Sequence, residues 1–137
     1  MKTLEKEKLI NAAKKAAEFS YSPYSCFRVG AALLCRDGTR ITGTNVENRS
    51  YGLTNCAERS AIFTAVSSGK KDFTGIAIYS PDSDKPLPPC GACRQVLSEF
   101  GGPEFVVLFS GKNNNVEEVL LKDLLPYDSL YDLKKGT

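Results

Sequence analysis

Hydrophobic positions recur along the chain with two different spacings, and these spacings predict alternating helices and strands. Helical spacing runs through residues 4–19, 56–68 and 90–100. Short apolar or alternating runs predict strands over residues 27–35, 40–46, 75–79 and 105–109. Residues 116–125 predict a last strand edge followed by a short helix. The order α-β-β-α-β-α-β favours a mixed sheet with helices packed on it.

Turn-forming and capping residues separate these segments. Pro23 ends the first predicted helix, and the pair Asp37-Gly38 predicts a hairpin turn between the first two strands. Thr54 or Asn55 is the predicted N-cap of the second helix. The chain has neither an internal repeat nor a linker-like segment, so we expect residues 1–137 to form a single domain.

Composition narrows the classes of function. The formal net charge is +2 and tryptophan is absent, so neither a basic field nor a stacking platform for nucleic acid is expected. The N-terminal residues are rich in Lys and Glu, and no apolar run approaches the roughly 18 residues of a membrane span. We therefore expect a cytoplasmic protein with no membrane and no nucleic-acid partner.

The counts of cysteine and histidine restrict the chemistry. The chain has five cysteines, an odd number, which favours metal binding or catalysis over a disulfide framework in a cytosolic protein. It has no histidine. Mechanisms that pair Ser or Cys with His are therefore excluded, as is any metal site that needs imidazole.

Three of the cysteines lie where helices are predicted to begin. Cys56 starts the second helix, and Cys90 and Cys93 start the third in the sequence Pro-Cys-Gly-Ala-Cys. Helix N-termini favour thiolate over thiol, and a Cys-x-x-Cys pair can place both sulfurs on one metal ion. Three protein ligands with a fourth position open to water is the catalytic arrangement of zinc. We therefore expect one Zn²⁺ per chain on these three thiolates.

Other uses of these cysteines remain open at the level of sequence. Cys90 and Cys93 have the spacing of a thioredoxin-like redox pair. A structural zinc site, which would make the protein a zinc-stabilised binding module, needs a fourth ligand that Cys26 or Cys35 would supply. Both of these residues are otherwise typical of small buried or half-buried side chains.

Glu58 follows Cys56 by two positions and lies in the first predicted turn beside the proposed metal. Alone, it is typical of a first-turn Glu or of an Asn55-x-x-Glu58 capping box. Beside zinc, a carboxylate that is not a ligand can take a proton from water and return it to a leaving amine. The guanidinium of Arg59 or Arg94 can donate to a coordinated sulfur and reduce its charge.

These motifs resemble the cytidine deaminase family of small homotetrameric zinc enzymes. The resemblance rests on Cys-Ala-Glu-Arg at 56–59 and Pro-Cys-Gly-Ala-Cys-Arg-Gln at 89–95. Further matching segments lie at 21–25, 27–33, 43–48 and 124–126. Cysteine stands before Ala57-Glu58 where nucleic-acid editing and tRNA deaminases, which are similar in fold, have histidine.

The resemblance implies a fold, an activity and the roles of several residues. It implies a three-layer α/β/α fold around a five-stranded mixed sheet, and zinc-dependent hydrolysis of cytidine and deoxycytidine with release of ammonia, in pyrimidine salvage. Phe27 would stack near the cytosine ring, Asn45 and Glu47 would hold the ribose hydroxyls, and Ala57 would read the base through its backbone. It also implies a homotetramer with active sites shared between chains.

The sequence departs from the family pattern at two places. Ser129 stands where the family has an aromatic residue that packs over the nucleoside of a neighbouring subunit, and Arg49 stands where a small residue is expected. Tyr127, Leu130 or Tyr131 are the candidates to replace that aromatic contact. A modified cytosine nucleoside, such as an aminoacyl-nucleoside antibiotic, remains a second candidate substrate.

Overall fold

The computed structural model describes residues 1–133; residues 134–137 of the predicted domain lie outside the described residues. The four α-helices of this described part are α1 (Thr3–Ala17), α2 (Ala57–Ser67), α3 (Gly91–Phe100) and the short α4 (Leu121–Leu124). Its five strands are β1 (Gly30–Cys35), β2 (Arg40–Thr44), β3 (Phe73–Tyr79), β4 (Val106–Ser110) and β5 (Val116–Leu120). Short 3₁₀ turns lie at Tyr51–Leu53 and Tyr131–Leu133.

The strands form one five-stranded mixed sheet in the order β2-β1-β3-β4-β5. The β3–β4 pair is parallel, with α3 as its crossover, and the other neighbouring pairs are antiparallel. The predicted mixed sheet is therefore confirmed. Gly38, in the predicted hairpin turn between β1 and β2, has the positive φ of 91° that the left-handed region requires.

Helices cover the sheet on both faces, which gives the expected three layers. All six residues of β1 are buried, and alternate residues face opposite sides: Leu33 packs with α2, whereas Leu34 packs with α1. The apolar stripe of α1 is buried and consists of Leu9, Ala13, Ala16 and Ala17. The apolar stripe of α2 that faces the sheet is buried as well and includes Ala57, Ala61, Ile62 and Ala65. Strand β1, which is second in the sheet order, thus supplies core to both layers.

The boundaries of several elements differ from those predicted: β2 ends at Thr44 rather than at residue 46, and β3 begins at Phe73 rather than at residue 75. Strand β1 begins at Gly30 rather than at residue 27, because side-chain oxygens take up the amide hydrogens of the three preceding residues. Helix α2 is capped at Cys56, so the predicted N-caps Thr54 and Asn55 are wrong. Asn55 instead pairs with Val46 in an isolated antiparallel bridge, which holds it in extended backbone before the helix begins.

Helices α2 and α3 lie on the same face of the sheet and share one core cluster, to which Ala61 and Leu97 contribute. Both helices begin with a cysteine at the N-cap. No helix within residues 1–133 combines the length and the apolar character that crossing a membrane requires.

Candidate metal centre and active site

The N-termini of α2 and α3 bring three thiols together. Cys56 and Cys90 are the N-cap residues of the two helices, and Cys93 lies one turn into α3. The three Sγ atoms lie within 4.8 Å of one another, and those of Cys56 and Cys90 are 3.9 Å apart. Cys93 is buried, whereas Cys90 is exposed, so the cluster is open towards solvent on one side.

The electrostatics of the cluster suit a divalent cation. A hydrogen bond from Cys93 and the guanidinium of Arg59 lower the pKa of Cys56 to about 5, against the effect of burial. The same contact with Cys56, together with burial, raises the pKa of Cys93 far above that of an ordinary thiol. The Cys56 thiolate therefore forms readily, whereas ionising Cys93 beside it calls for a cation between the two sulfurs. The donor set fits Zn²⁺, which thiolate ligands select.

Arg59 and Arg94 have different partners. The Nη2 atom of Arg59 donates to Sγ of Cys56 at 3.2 Å, as the sequence interpretation required. Its Nε is buried and has no hydrogen-bond partner within the described residues. Arg94 instead donates to two carbonyl oxygens, those of Pro89 at 2.8 Å and Leu124 at 3.1 Å. Arg94 thus fixes the backbone before Cys90, and within residues 1–133 it is Arg59 rather than Arg94 that contacts a sulfur.

Glu58 lies in the first turn of α2, and only 5% of its surface is exposed. Burial raises the pKa of its carboxyl to about 7, and the thiolate of Cys56 contributes in the same direction. A carboxyl with this pKa can both accept and donate a proton near neutral pH. Asn55 directs its side-chain amide to Ser60 Oγ at 3.3 Å rather than into the predicted capping box.

Most residues expected to contact a nucleoside lie where β1 begins and β2 ends, and Ala57 lies at the start of α2. Phe27 is half-buried and packs against the main core cluster. Asn45 is buried: its Oδ1 accepts from Ser20 Oγ and from the Val29 amide, and its Nδ2 donates to the Phe27 carbonyl at 2.7 Å. The second hydrogen of the Asn45 amide has no partner within residues 1–133. Ala57 is fully buried at the first position of α2.

Glu47 is held by the turn that follows α1. Its Oε1 accepts from the amides of Tyr24 at 3.0 Å and Ser25 at 3.1 Å, and its Oε2 accepts from Ser25 Oγ. These hydrogen bonds, the Ser25 hydroxyl foremost, lower the pKa of the Glu47 carboxyl. A fixed negative charge therefore faces this end of the sheet.

The structure also brings in residues that the sequence interpretation missed. Ser25 lies in the family-matching segment 21–25 and was given no role of its own, yet it bonds both Glu47 and the Phe27 amide. Asp82 bonds both the backbone and the side chain of Arg28, which is 54 positions away along the chain. No local pattern signals the contacts of Ser25 with Glu47 and of Asp82 with Arg28, because each joins segments that are distant in sequence.

The two remaining cysteines take no part in the cluster. Cys26 is exposed and Cys35 is buried, and burial raises the pKa of the Cys35 thiol. Within residues 1–133, Cys56, Cys90 and Cys93 form the one group of Cys, Asp and Glu side chains able to hold a metal ion. A fourth protein ligand, as a structural zinc site needs, is thus not found in the described chain. The third thiol beside Cys90 and Cys93 also argues against a simple redox pair.

Three thiols and a buried carboxyl thus lie at the starts of two neighbouring helices that pack on a mixed sheet. Zinc-dependent deaminases have this arrangement. The family model "Cytidine and deoxycytidylate deaminase zinc-binding region" matches residues 3–109. The chain therefore belongs to this family, as the sequence motifs predicted.

Deaminases of known name are similar to this chain over most of its length. It is 47% identical over 123 residues to a cytidine deaminase of Halalkalibacterium halodurans, covering 90% of this chain and 92% of that protein. A crystal structure of cytidine deaminase from Burkholderia pseudomallei superimposes with a TM-score of 0.85 at 46% identity, covering 92% of this chain and 98% of that one. A blasticidin-S deaminase of Bacillus cereus is 34% identical over 105 residues, covering 72% of this chain and 74% of that protein.

Proposed function

We propose that this protein is a cytidine deaminase, which hydrolyses the 4-amino group of cytidine and deoxycytidine and releases ammonia. The observation that carries the proposal is the buried Glu58 beside the cluster of Cys56, Cys90 and Cys93. The names of the similar proteins from Halalkalibacterium halodurans and Burkholderia pseudomallei support it. Deamination of free nucleosides would give the protein a role in pyrimidine salvage.

The three cysteine thiolates would hold Zn²⁺, which supplies an activated water molecule when it is bound. Glu58 accepts the proton that this water loses, and its carboxyl then donates a proton to N3 of the cytosine. As N3 is protonated, the water oxygen bonds to C4. Glu58 then takes the remaining proton from that oxygen and passes it to the 4-amino group, which leaves as ammonia when the C4–N bond breaks and the C4 carbonyl forms. Its burial and its pKa of about 7 support both transfers near neutral pH. Arg59 offsets thiolate charge at Cys56.

The remaining family positions would bind the nucleoside. Phe27 would stack on the base, and the backbone of Ala57 would read its edge. Asn45 has one amide hydrogen left for a ribose hydroxyl, and Glu47 would accept a hydrogen bond from another. The fixed negative charge of Glu47 would repel a 5′-phosphate, which supports a nucleoside rather than a nucleotide as the substrate.

A spectrophotometric assay of the conversion of cytidine to uridine tests this function. We expect turnover that a zinc chelator abolishes and added zinc restores, with the Glu58→Gln variant as the inactive control. Full activity in a protein shown by elemental analysis to be free of metal would contradict the zinc mechanism. A zinc-loaded protein that turns over neither cytidine nor deoxycytidine would contradict the proposal that these nucleosides are its substrates.

A second candidate substrate is a cytosine nucleoside with an aminoacyl substituent. The resemblance to the blasticidin-S deaminase of Bacillus cereus favours it, and the outer residues Arg49 and Ser129 depart from the family pattern. The same assay with blasticidin S in place of cytidine distinguishes the two. A specificity constant higher for blasticidin S than for cytidine would identify the modified nucleoside as the substrate.

We also propose a cytosolic homotetramer whose active sites are completed by neighbouring chains. Large apolar side chains are exposed in two stretches: Tyr51 and Leu53, and Tyr127, Leu130, Tyr131 and Leu133. Apolar groups of this size usually mark an interface. All five cysteines are free thiols, which supports a reducing compartment. Light scattering of the full chain and of a truncation after Pro126 tests the assembly; a fully active monomer at micromolar concentration would refute it.

A further inference from the structure

The segment Phe27–Val29 lies just before β1, and side chains hold its backbone amides. The Phe27 amide donates to Ser25 Oγ at 3.0 Å, the Arg28 amide to Asp82 Oδ2 at 2.9 Å, and the Val29 amide to Asn45 Oδ1 at 2.9 Å. The position of this segment therefore depends on side chains that reach it from other elements.

Two of these side chains, Asn45 and Asp82, bind the segment from opposite sides. Asn45 follows β2 and binds the Phe27 carbonyl and the Val29 amide. Asp82 follows β3 and binds the Arg28 amide between them. Strands β2 and β3 flank β1 in the sheet, so each neighbouring strand extends one side chain to the same three residues. Asp82 thus holds the backbone of this segment on the β3 side, as Asn45 holds it on the β2 side.

Asp82 is itself firmly anchored. Its amide donates to Oγ of Ser80, a fully buried residue at the end of β3. Its carboxylate also chelates the Arg28 guanidinium: Nε donates to Oδ2 at 2.9 Å and Nη2 to Oδ1 at 2.8 Å. The Arg28 contact lowers the pKa of the Asp82 carboxyl to about 2, so the carboxylate stays charged in the neutral range.

We propose that Asp82 is a positioning residue for nucleoside binding, which holds Phe27 in place by accepting the amide hydrogen of Arg28. This inference rests on the proposed function, in which Phe27 stacks on the cytosine. Asp82 also lies in the loop that leads to Cys90, so it joins the base-stacking segment to the loop that carries a metal ligand. Loss of the contact weakens substrate binding more than it slows the proton transfers.

The chain contains a matched pair for comparison at the other end of β1. Arg36 follows β1, and its Nε donates to both carboxylate oxygens of Asp72, at 3.0 and 2.9 Å. This second Arg–Asp pair is exposed, with 66% and 68% of the two side chains accessible, and it lies outside the proposed site. Exposed ion pairs contribute little to stability. Asp72→Ala therefore controls for the loss of an Arg–Asp pair as such.

The experiment compares steady-state kinetics of Asp82→Ala and Asp72→Ala with cytidine. For Asp82→Ala we expect KM to rise about tenfold or more, the scale of a lost charge-assisted hydrogen bond, with kcat within about twofold of the parent. For Asp72→Ala we expect neither constant to change. Zinc content and the midpoint of thermal unfolding are measured for both variants and are expected to match the parent.

Two further variants separate positioning from general damage. Asp82→Asn keeps one oxygen for the Arg28 amide, so its KM should lie closer to the parent value than that of Asp82→Ala. The chain has no tryptophan, so Phe27→Trp provides a single fluorescent reporter at the segment itself. Acrylamide quenching of this reporter should increase when Asp82→Ala is added and stay unchanged when Asp72→Ala is added. This readout needs no catalytic activity.

Three results would overturn the inference. One is an unchanged KM in Asp82→Ala while the parent deaminates cytidine. Another is a fall in kcat together with a loss of bound zinc, which would mean that Asp82 acts only by positioning the loop that carries Cys90. The third is a Phe27→Trp reporter whose quenching does not respond to Asp82→Ala. A parent protein that does not turn over cytidine would instead contradict the proposed function, and the quenching comparison would still decide the role of Asp82.

Discussion

Gly43 gives the sharpest test of how the sheet positions the active site. A Cβ atom built on Gly43 would lie 2.4 Å from the backbone nitrogen of Ala61 and 2.6 Å from the carbonyl oxygen of Ala57. Ordinary van der Waals contact begins at 3.4 Å, so the Gly43→Ala side chain is about 1 Å too close to rigid helix backbone. Helix α2 has to move outward, and its first turn carries Cys56 and Glu58.

The size of the effect follows from this displacement. Overpacking of this kind costs about 3 kcal/mol, which for a chain of this length corresponds to a fall of about 10 °C in the unfolding midpoint. A displacement of about 1 Å at catalytic groups lowers activity on the order of 10²-fold. We therefore expect Gly43→Ala to be less stable, to bind zinc more weakly and to lose most of its deamination activity.

Stability is measured by thermal unfolding followed by circular dichroism at fixed protein concentration. Zinc binding is measured by elemental analysis, and activity by the cytidine assay. Gly75→Ala is the milder control, because its new Cβ would lie 2.5 Å from the flexible end of the Met1 side chain and no closer than 3.1 Å to backbone, at the Val106 carbonyl oxygen. Gly30→Ala is the matched severe control: its Cβ would lie 2.1 Å from the carbonyl oxygen of Ala13, in α1 on the other face of the sheet. Gly30→Ala should lose stability but keep its zinc. Parent-like zinc content and activity in Gly43→Ala would refute the reasoning.

The other predictions concern the site itself. Glu58→Gln should retain zinc by elemental analysis but lose at least about 10²-fold in kcat, because both proton transfers lose their carrier; near-normal turnover would remove Glu58 from the mechanism. Arg59→Gln should lower activity about 10- to 100-fold and shift the thiolate-to-metal absorption of the cobalt-substituted protein. Arg94→Gln, which loses carbonyl partners rather than a sulfur contact, should shift that absorption less than Arg59→Gln, and equal shifts in the two variants would contradict the assignment. Cytidine monophosphate should be a poor substrate beside the fixed charge of Glu47, and efficient turnover of it would contradict the proposed sugar site.

Local pattern predicted most of the secondary structure, because helix and strand spacing is a property of neighbouring residues. The stripe with Leu9 and Ala13 in α1 and the continuous apolar run of β1 both proved to be buried as expected. The predictions failed where contacts between segments decide the boundary. Strand β1 begins at Gly30 because the amides before it bond side chains, including Asp82 from beyond β3.

The sequence by itself determined the chemistry available to this protein. Five cysteines without a histidine leave thiolate as the soft metal ligand, and a cysteine at each of two helix starts favours its ionisation. The placement of Glu58 beside Cys56 is equally a local fact, since both lie at the first turn of one helix.

Only the tertiary structure decided how these groups act together. Cys56 meets Cys90, 34 positions away, because β3 lies between their helices in the chain and both helices pack on one face of the sheet. Glu58 acquires a pKa of about 7 from burial, which its sequence neighbours do not determine. Arg59 contacts a sulfur and Arg94 contacts carbonyls, although each follows directly after a site residue. The physical reason is that sequence spacing fixes which face of its own element a side chain occupies, whereas the order of strands fixes what that face meets.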